Sequence, residues 1–297
     1  METDLESRRP GGFLGRLFRR SPVGPLIEAE AVVVACASGK GGTGKSFLTT
    51  NLAIALHRAG RRVAVVDCDF GLANAHLLFG VNPRFSMQHL LEGGVPLEDV
   101  LCETPHGPTL IAGGSGVVSL AELGVRHMQS LARALHRVAM SFDYVLLDCP
   151  AGLAPQSMVT VLAADHIVLV TNPEIAALTD AYALIKCLAR QPRHPDLGIV
   201  VNRVSSPGLG RTTFDRLAEV SRRFAACSIH YVGEVPEDPA VTQRRLGQPP
   251  VLVSLAECPT AKAILAIEGQ IEAVTHPVRT SRRAGVEERM MEQLRRW

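Results

Sequence analysis

Eight consecutive residues could hold a phosphate chain: Gly39, Lys40, Gly41, Gly42, Thr43, Gly44, Lys45 and Ser46 fit GxxxxGK followed by Ser or Thr. The glycines let successive backbone N–H groups turn inward around phosphate oxygens. Lys45 offers a point charge to the β and γ phosphates, Ser46 offers a hydroxyl to Mg²⁺, and a helix starting here adds its N-terminal dipole. Two more strings carry carboxylates: VDCDFGLAN at 66–74 and LDCPAG at 147–152. Each puts an aspartate, Asp67 or Asp148, at the end of an apolar run, and Asp69 follows two residues later.

Those residues need strands and helices to position them. Apolar, β-branched runs at 31–37, 63–67, 144–148, 166–171, 198–202 and 229–232 alternate with helical stretches at 45–59, 126–140 and 180–190. Such alternation predicts an α/β fold, a mainly parallel, doubly wound sheet with helices on both faces. Most of the runs are apolar throughout rather than alternating, as burial on both faces demands. In such a sheet ligands bind at the carboxyl ends of the strands, where the loop and both acidic strings lie.

The form KGGTGKS, with a second lysine, Lys40, at the head of the loop, resembles the deviant Walker A family that includes MinD, ParA and the nitrogenase iron protein. The resemblance covers about residues 32–252 and implies a single P-loop domain that binds ATP and Mg²⁺. In that family the extra lysine reaches the partner subunit's phosphates, so Lys40 implies an ATP-dependent homodimer. The strings around Asp67 and Asp148 resemble the MinD switch loops DxDxGLxN and DxPAG. Carried over by position, Lys40, Lys45 and Asp69 form the catalytic set, with Asp69 orienting the attacking water. Asp67 supports its loop, Ser46, Asp69 and Asp148 serve Mg²⁺, and Asn74, Pro150 and Gly152 complete the switch loops. Asn202, Arg203, Pro236, Glu237 and Asp238 resemble the adenine pocket.

Strings at 71–80 (GLANAHLLFG), 111–117 (IAGGSGV) and 179–188 (TDAYALIKCL) look closer still to the FlhG (FleN/YlxH) branch, the flagellar-number ATPases. The resemblance implies an ATP-driven dimerisation switch with Mg²⁺-dependent hydrolysis that controls flagellar number or placement. Its partner would be a flagellar assembly GTPase or regulator, although residues 1–30 contain no DQAxxLR segment of the kind that stimulates such a GTPase. Division-site positioning, or a weakly hydrolysing regulatory module, stays open.

A formal net charge of +2 gives no strong field for nucleic acid, which makes it an unlikely partner. The seven cysteines are scattered singly with no CxxC pair, and no secretory segment precedes them, so a cytoplasmic protein with reduced thiols is expected. The longest apolar run, 31–37, falls far short of the roughly 18 residues a membrane span needs. Three parts are expected: a basic tail at 1–30, the ATPase domain at 31–275 and a charged amphipathic helix at 276–297. In the tail, Phe13, Leu14, Leu17 and Phe18 share one helical arc and Arg16, Arg19 and Arg20 the other, a design suited to an anionic membrane surface. Val286, Met290, Leu294 and Trp297 repeat it more weakly, diluted by Glu287, Glu288 and Glu292. Peripheral membrane association in the ATP state follows as an expectation.

Overall fold

A computed structural model describes residues 30–70, 73–114, 124–192, 195–244, 247–280 and 284–296. The N-terminal segment with Phe13, Leu14, Leu17 and Phe18 lies outside the described residues. Strand β1 (Val32–Ala37) is buried along its whole length and turns through the glycine-rich loop into α1 (Lys45–Arg58). β2 (Val63–Asp67) leads to short helices α2 (Ala75–Phe79), α3 (Met87–Leu91) and α4 (Leu97–Val100). A small hairpin, β3 (Cys102–Glu103) and β4 (Thr109–Ile111), precedes α5 (Val125–Ala139) and β5 (Tyr144–Asp148). Then come α6 (Pro155–Leu162), β6 (His166–Thr171), α7 (Ile175–Ala189), β7 (Asp196–Val204), α8 (Leu209–Ala225) and β8 (His230–Pro236). Single turns α9 (Pro239–Thr242) and α10 (Val251–Ser254) lead to α11 (Pro259–Thr280) and α12 (Val286–Leu294).

The eight strands form one sheet in the order β3-β4-β2-β5-β1-β6-β7-β8, parallel except for β3 against β4. Successive strand residues feed opposite layers. Val33, Ala35, Val145, Leu147 and Leu169 meet Leu131 and Leu135 of α5, Leu184 and Leu188 of α7 and Leu217 of α8. Val32, Val34, Leu146, Val168 and Val200 meet Leu48 and Leu52 of α1 and Ile264 and Ile271 of α11. Both faces are therefore core, which explains strands without polar alternation. The β3–β4 pair escaped the sequence pattern because runs of two and three residues carry no usable period.

At the C-terminal end the structure corrects one expectation. The apolar face of α12 is not free for a membrane: Val286, Met290 and Leu294 are buried in the same layer as α5 and α6. The helix is pinned by polar contacts as well. Arg289 pairs with Asp165 at 3.0 Å and its Nε donates to the Ala163 carbonyl at 2.7 Å, while Glu30 accepts the Val286 N–H at 3.0 Å. A buried pair of this kind costs about 3–5 kcal/mol to break by removing one partner, so it favours one docked position for the helix. The boundary expected at residue 275 falls inside α11, which runs on to Thr280. Among the described residues no helix is long and apolar enough to cross a membrane.

Candidate functional site

β1, β5 and β2 lie side by side, with Asp67 in register with Asp148, so the loop after β1 and both aspartates converge at the carboxyl ends of the strands. The loop leaves β1 at Ser38, whose Oγ donates to the Lys40 carbonyl at 3.0 Å. Gly44 needs to be glycine twice over: its φ is +91°, and a Cβ would lie 2.1 Å from Asn202 Nδ2. Gly39 meets a different limit, because a Cβ there would sit 2.3 Å from the Asp180 carbonyl carbon in α7. Gly41 and Gly42 face open space, with nothing within 4 Å of a built Cβ. The loop is thus clamped at its flanks and open at its crown.

The charges behind the crown are buried. Lys45 Nζ forms an ion pair with Asp148 Oδ1, and Thr49 Oγ1 donates to the same carboxylate at 3.2 Å. Burial alone would lower the Lys45 pKa, but the charge and hydrogen bond of Asp148 outweigh it and hold the ammonium above its ordinary value. Asp67 is pushed up to about 7, first by burial and then by the Asp148 charge. Three backbone N–H groups donate to the Asp67 carboxylate: Asp69 at 3.0 Å and Asn74 and Ala75 at 3.1 Å. Asp67 therefore shapes the first switch loop from beneath, while Asp69 lies half-buried on it. In the second loop Gly152 donates its N–H to the Ser38 carbonyl at 3.0 Å, tying it to β1; Pro150 is half-buried.

Lys40 points elsewhere. Its Nζ binds Glu174 Oε2 at 2.6 Å, at the N-terminal boundary of α7, and this contact holds the Glu174 carboxyl below its usual range. The base-pocket residues divide. Asn202 Nδ2, expected to read a purine edge, instead donates to the Thr43 carbonyl at 2.7 Å and so supports the phosphate loop. Asp238, expected beside the base, caps α9 by accepting the Ala240 N–H at 2.9 Å. Arg203 is exposed with φ 56°, Pro236 ends β8, and the Glu237 N–H donates to the Val204 carbonyl at 2.9 Å. A cavity of about 230 Å³ opens between Phe47 and Asn51 of α1 and Val241, Arg244 and Pro249. None of these five residues stood out in the sequence; the only signal was their place, just after the phosphate loop and just after the Pro236–Asp238 string.

The ParA family profile, described as NUBPL iron-transfer P-loop NTPase, matches residues 30–272. The chain belongs to the ParA family. Among curated ParA-type relatives, the antiactivator FleN of Pseudomonas aeruginosa is 35% identical over 242 residues, covering 82% of this chain and 85% of FleN. The flagellum site-determining protein YlxH of Helicobacter pylori is 34% identical over 224 residues, 75% of each chain. A solved structure of the septum site-determining protein MinD of Pyrococcus horikoshii, complexed with Mg-ADP, has a TM-score of 0.68 at 26% identity, covering 85% of this chain and all of that one.

ParA-family proteins are ATPases that use ATP with Mg²⁺, and the residues here fit both. Thr43 Oγ1 is buried with no hydrogen-bond partner among the described residues, and the open crown at Gly41 and Gly42 leaves room for phosphate oxygens. Lys45 would hold the β and γ phosphates, and Ser46 and Asp148 would hold Mg²⁺, whose charge offsets that developing on the phosphoryl oxygens. The Lys45 ammonium would then exchange the Asp148 carboxylate for phosphate. Asp148, released from that ion pair, would keep the Thr49 hydroxyl.

Proposed function

We propose that this ParA-family ATPase is an ATP-driven dimerisation switch that controls the number or placement of flagella. One observation carries the dimer reading most directly: Lys40 sits on the rim of the site, bonded to Glu174, whose side chain is 59% exposed, rather than to the buried cluster at Lys45 and Asp148. A lysine so placed can exchange an exposed carboxylate for a phosphate presented by a second copy. The flagellar reading is supported by the likeness to FleN and YlxH. A flagellar assembly GTPase or regulator is the partner class that follows.

Sedimentation velocity tests the switch. Wild type with Mg-ATP is expected to sediment as a dimer and with Mg-ADP as a monomer; a monomer under both conditions would refute the reading. Glu174→Gln removes the competitor for Lys40 without shortening the side chain. Because exposed ion pairs contribute little, the ATP-bound dimer should tighten by only about two- to fivefold. Weaker dimerisation in that variant would mean that Glu174 assists closure instead of opposing it.

With the face of α12 buried, the segment containing Phe13, Leu14, Leu17 and Phe18 carries the membrane proposal. One short amphipathic helix binds weakly, and a dimer doubles the anchors. Phe13→Ser with Phe18→Ser should abolish ATP-dependent cosedimentation with anionic liposomes and leave dimerisation intact. Undiminished cosedimentation of that double variant would exclude the segment as the anchor.

A further inference from the structure

The end of β6 carries two buried polar side chains that make no hydrogen bond. Thr171 is 1% exposed and Asn172 2%, yet neither Thr171 Oγ1 nor Asn172 Oδ1 has a partner among the described residues. The neighbouring strand ends differ: Ser38 donates to the Lys40 carbonyl, and Asp148 holds both Lys45 and Thr49. A buried acceptor without a donor costs free energy that a leucine of similar shape would not. An orphaned amide beside a ligand site therefore points to a second arrangement in which it is used.

Strand register identifies the donor. Val170 of β6 pairs with Val200 of β7, and both lie in the layer covered by α1 and α11. Two residues further along each chain come Asn172 and Asn202, on that same side of the sheet and opposite one another. Neighbouring strands run about 4.8 Å apart, a spacing at which asparagine amides can bond from strand to strand. Asn202 Nδ2 carries two hydrogens. One goes to the Thr43 carbonyl at 2.7 Å, and the other has no acceptor among the described residues. The same amide is wedged against the phosphate loop, since a Cβ at Gly44 would lie 2.1 Å from Nδ2. A loop that closes on phosphates would move it.

We propose that Asn172 is a positioning residue for ATP binding: when phosphates fill the loop, the second N–H of Asn202 Nδ2 donates to Asn172 Oδ1. The Thr43 carbonyl, Asn202 and the end of β6 then form one chain of hydrogen bonds. Two residues beyond Asn172, Glu174 binds Lys40, so the chain also anchors the segment that holds Lys40. The tie itself needs only ATP binding and not the dimer.

A crystal structure of the wild type with Mg²⁺ and a non-hydrolysable ATP analogue should show Asn202 Nδ2 within about 3.2 Å of Asn172 Oδ1. A gap that remains, or a different donor on that oxygen, would overturn the proposal. Asn172→Leu supplies the counterpart in solution. Without nucleotide its melting temperature should equal or exceed that of the wild type, because no bond is lost, while calorimetry should show ATP affinity reduced about fivefold. A merely structural amide would give the reverse, a lower melting temperature with unchanged affinity. Asn202→Ala should also weaken ATP binding, and in that background Asn172→Leu should have no further effect. Losses that multiply would mean that the two amides act separately, which would refute the pairing.

Discussion

Lys45→Ala should reduce ATP affinity by about 10²- to 10⁴-fold, because the loss of a buried partner to a charge is worth about 3–5 kcal/mol. The lysine is buried beneath the crown of the loop, and its ammonium is the cation paired with Asp148. Truncation leaves Asp148 without its cation beside a second buried carboxylate, Asp67, in register on the next strand. A polyanionic ligand would then enter a site that is itself net negative. Lys45→Arg should rescue poorly, since a planar guanidinium cannot take the place of a compact ammonium between Asp148 and a phosphate. Calorimetric titration with Mg-ATP reads the effect directly, and an affinity equal to wild type would remove Lys45 from the site.

Asp69→Ala should do the opposite: leave ATP affinity within about twofold while slowing hydrolysis by about 10²- to 10⁴-fold, the range that positioned acid–base groups supply. Asp69 is half-buried on the switch loop, and its own N–H is fixed by Asp67 Oδ1 at 3.0 Å. The loop should therefore keep its course when the Asp69 carboxylate is removed. With chemistry blocked after closure, the variant should persist as an ATP-bound dimer. Wild-type turnover would show that Asp69 does not handle the attacking water. The two variants separate binding from chemistry, since a general collapse of the loop would reduce affinity in both.

Local signals made much of this site legible in the sequence. The phosphate loop, the two aspartate strings and the strands before them are contiguous, and strand ends in a parallel sheet gather at one edge whatever the details of packing. What escaped depends on partners far along the chain. Glu174 stands 134 residues from Lys40, and Asn202 stands 159 residues from Thr43, so no periodicity announces either contact. The amphipathic face of Val286, Met290 and Leu294 was plain, but a pattern does not say whether protein or lipid will cover it; α5 and α6 do. The cavity beside Phe47 arises where α1 meets the segment after β8, an encounter that only the folded chain creates.

If Lys40 acts on ATP bound to the other subunit, two variants that are inactive alone should restore activity when mixed. Lys40→Ala and Asp69→Ala homodimers each lack one component at both sites. In a mixed dimer, the ATP on the Lys40→Ala chain has that chain's Asp69 and the partner's Lys40, so one complete site is restored. At equal concentrations, mixed before ATP is added, activity should rise towards an upper bound of about a quarter of wild type, reached when half the dimers are mixed and each has one working site. If Lys40 served only its own subunit's nucleotide, every site in the mixture would lack a component, and activity no higher than that of the separate variants would contradict the account.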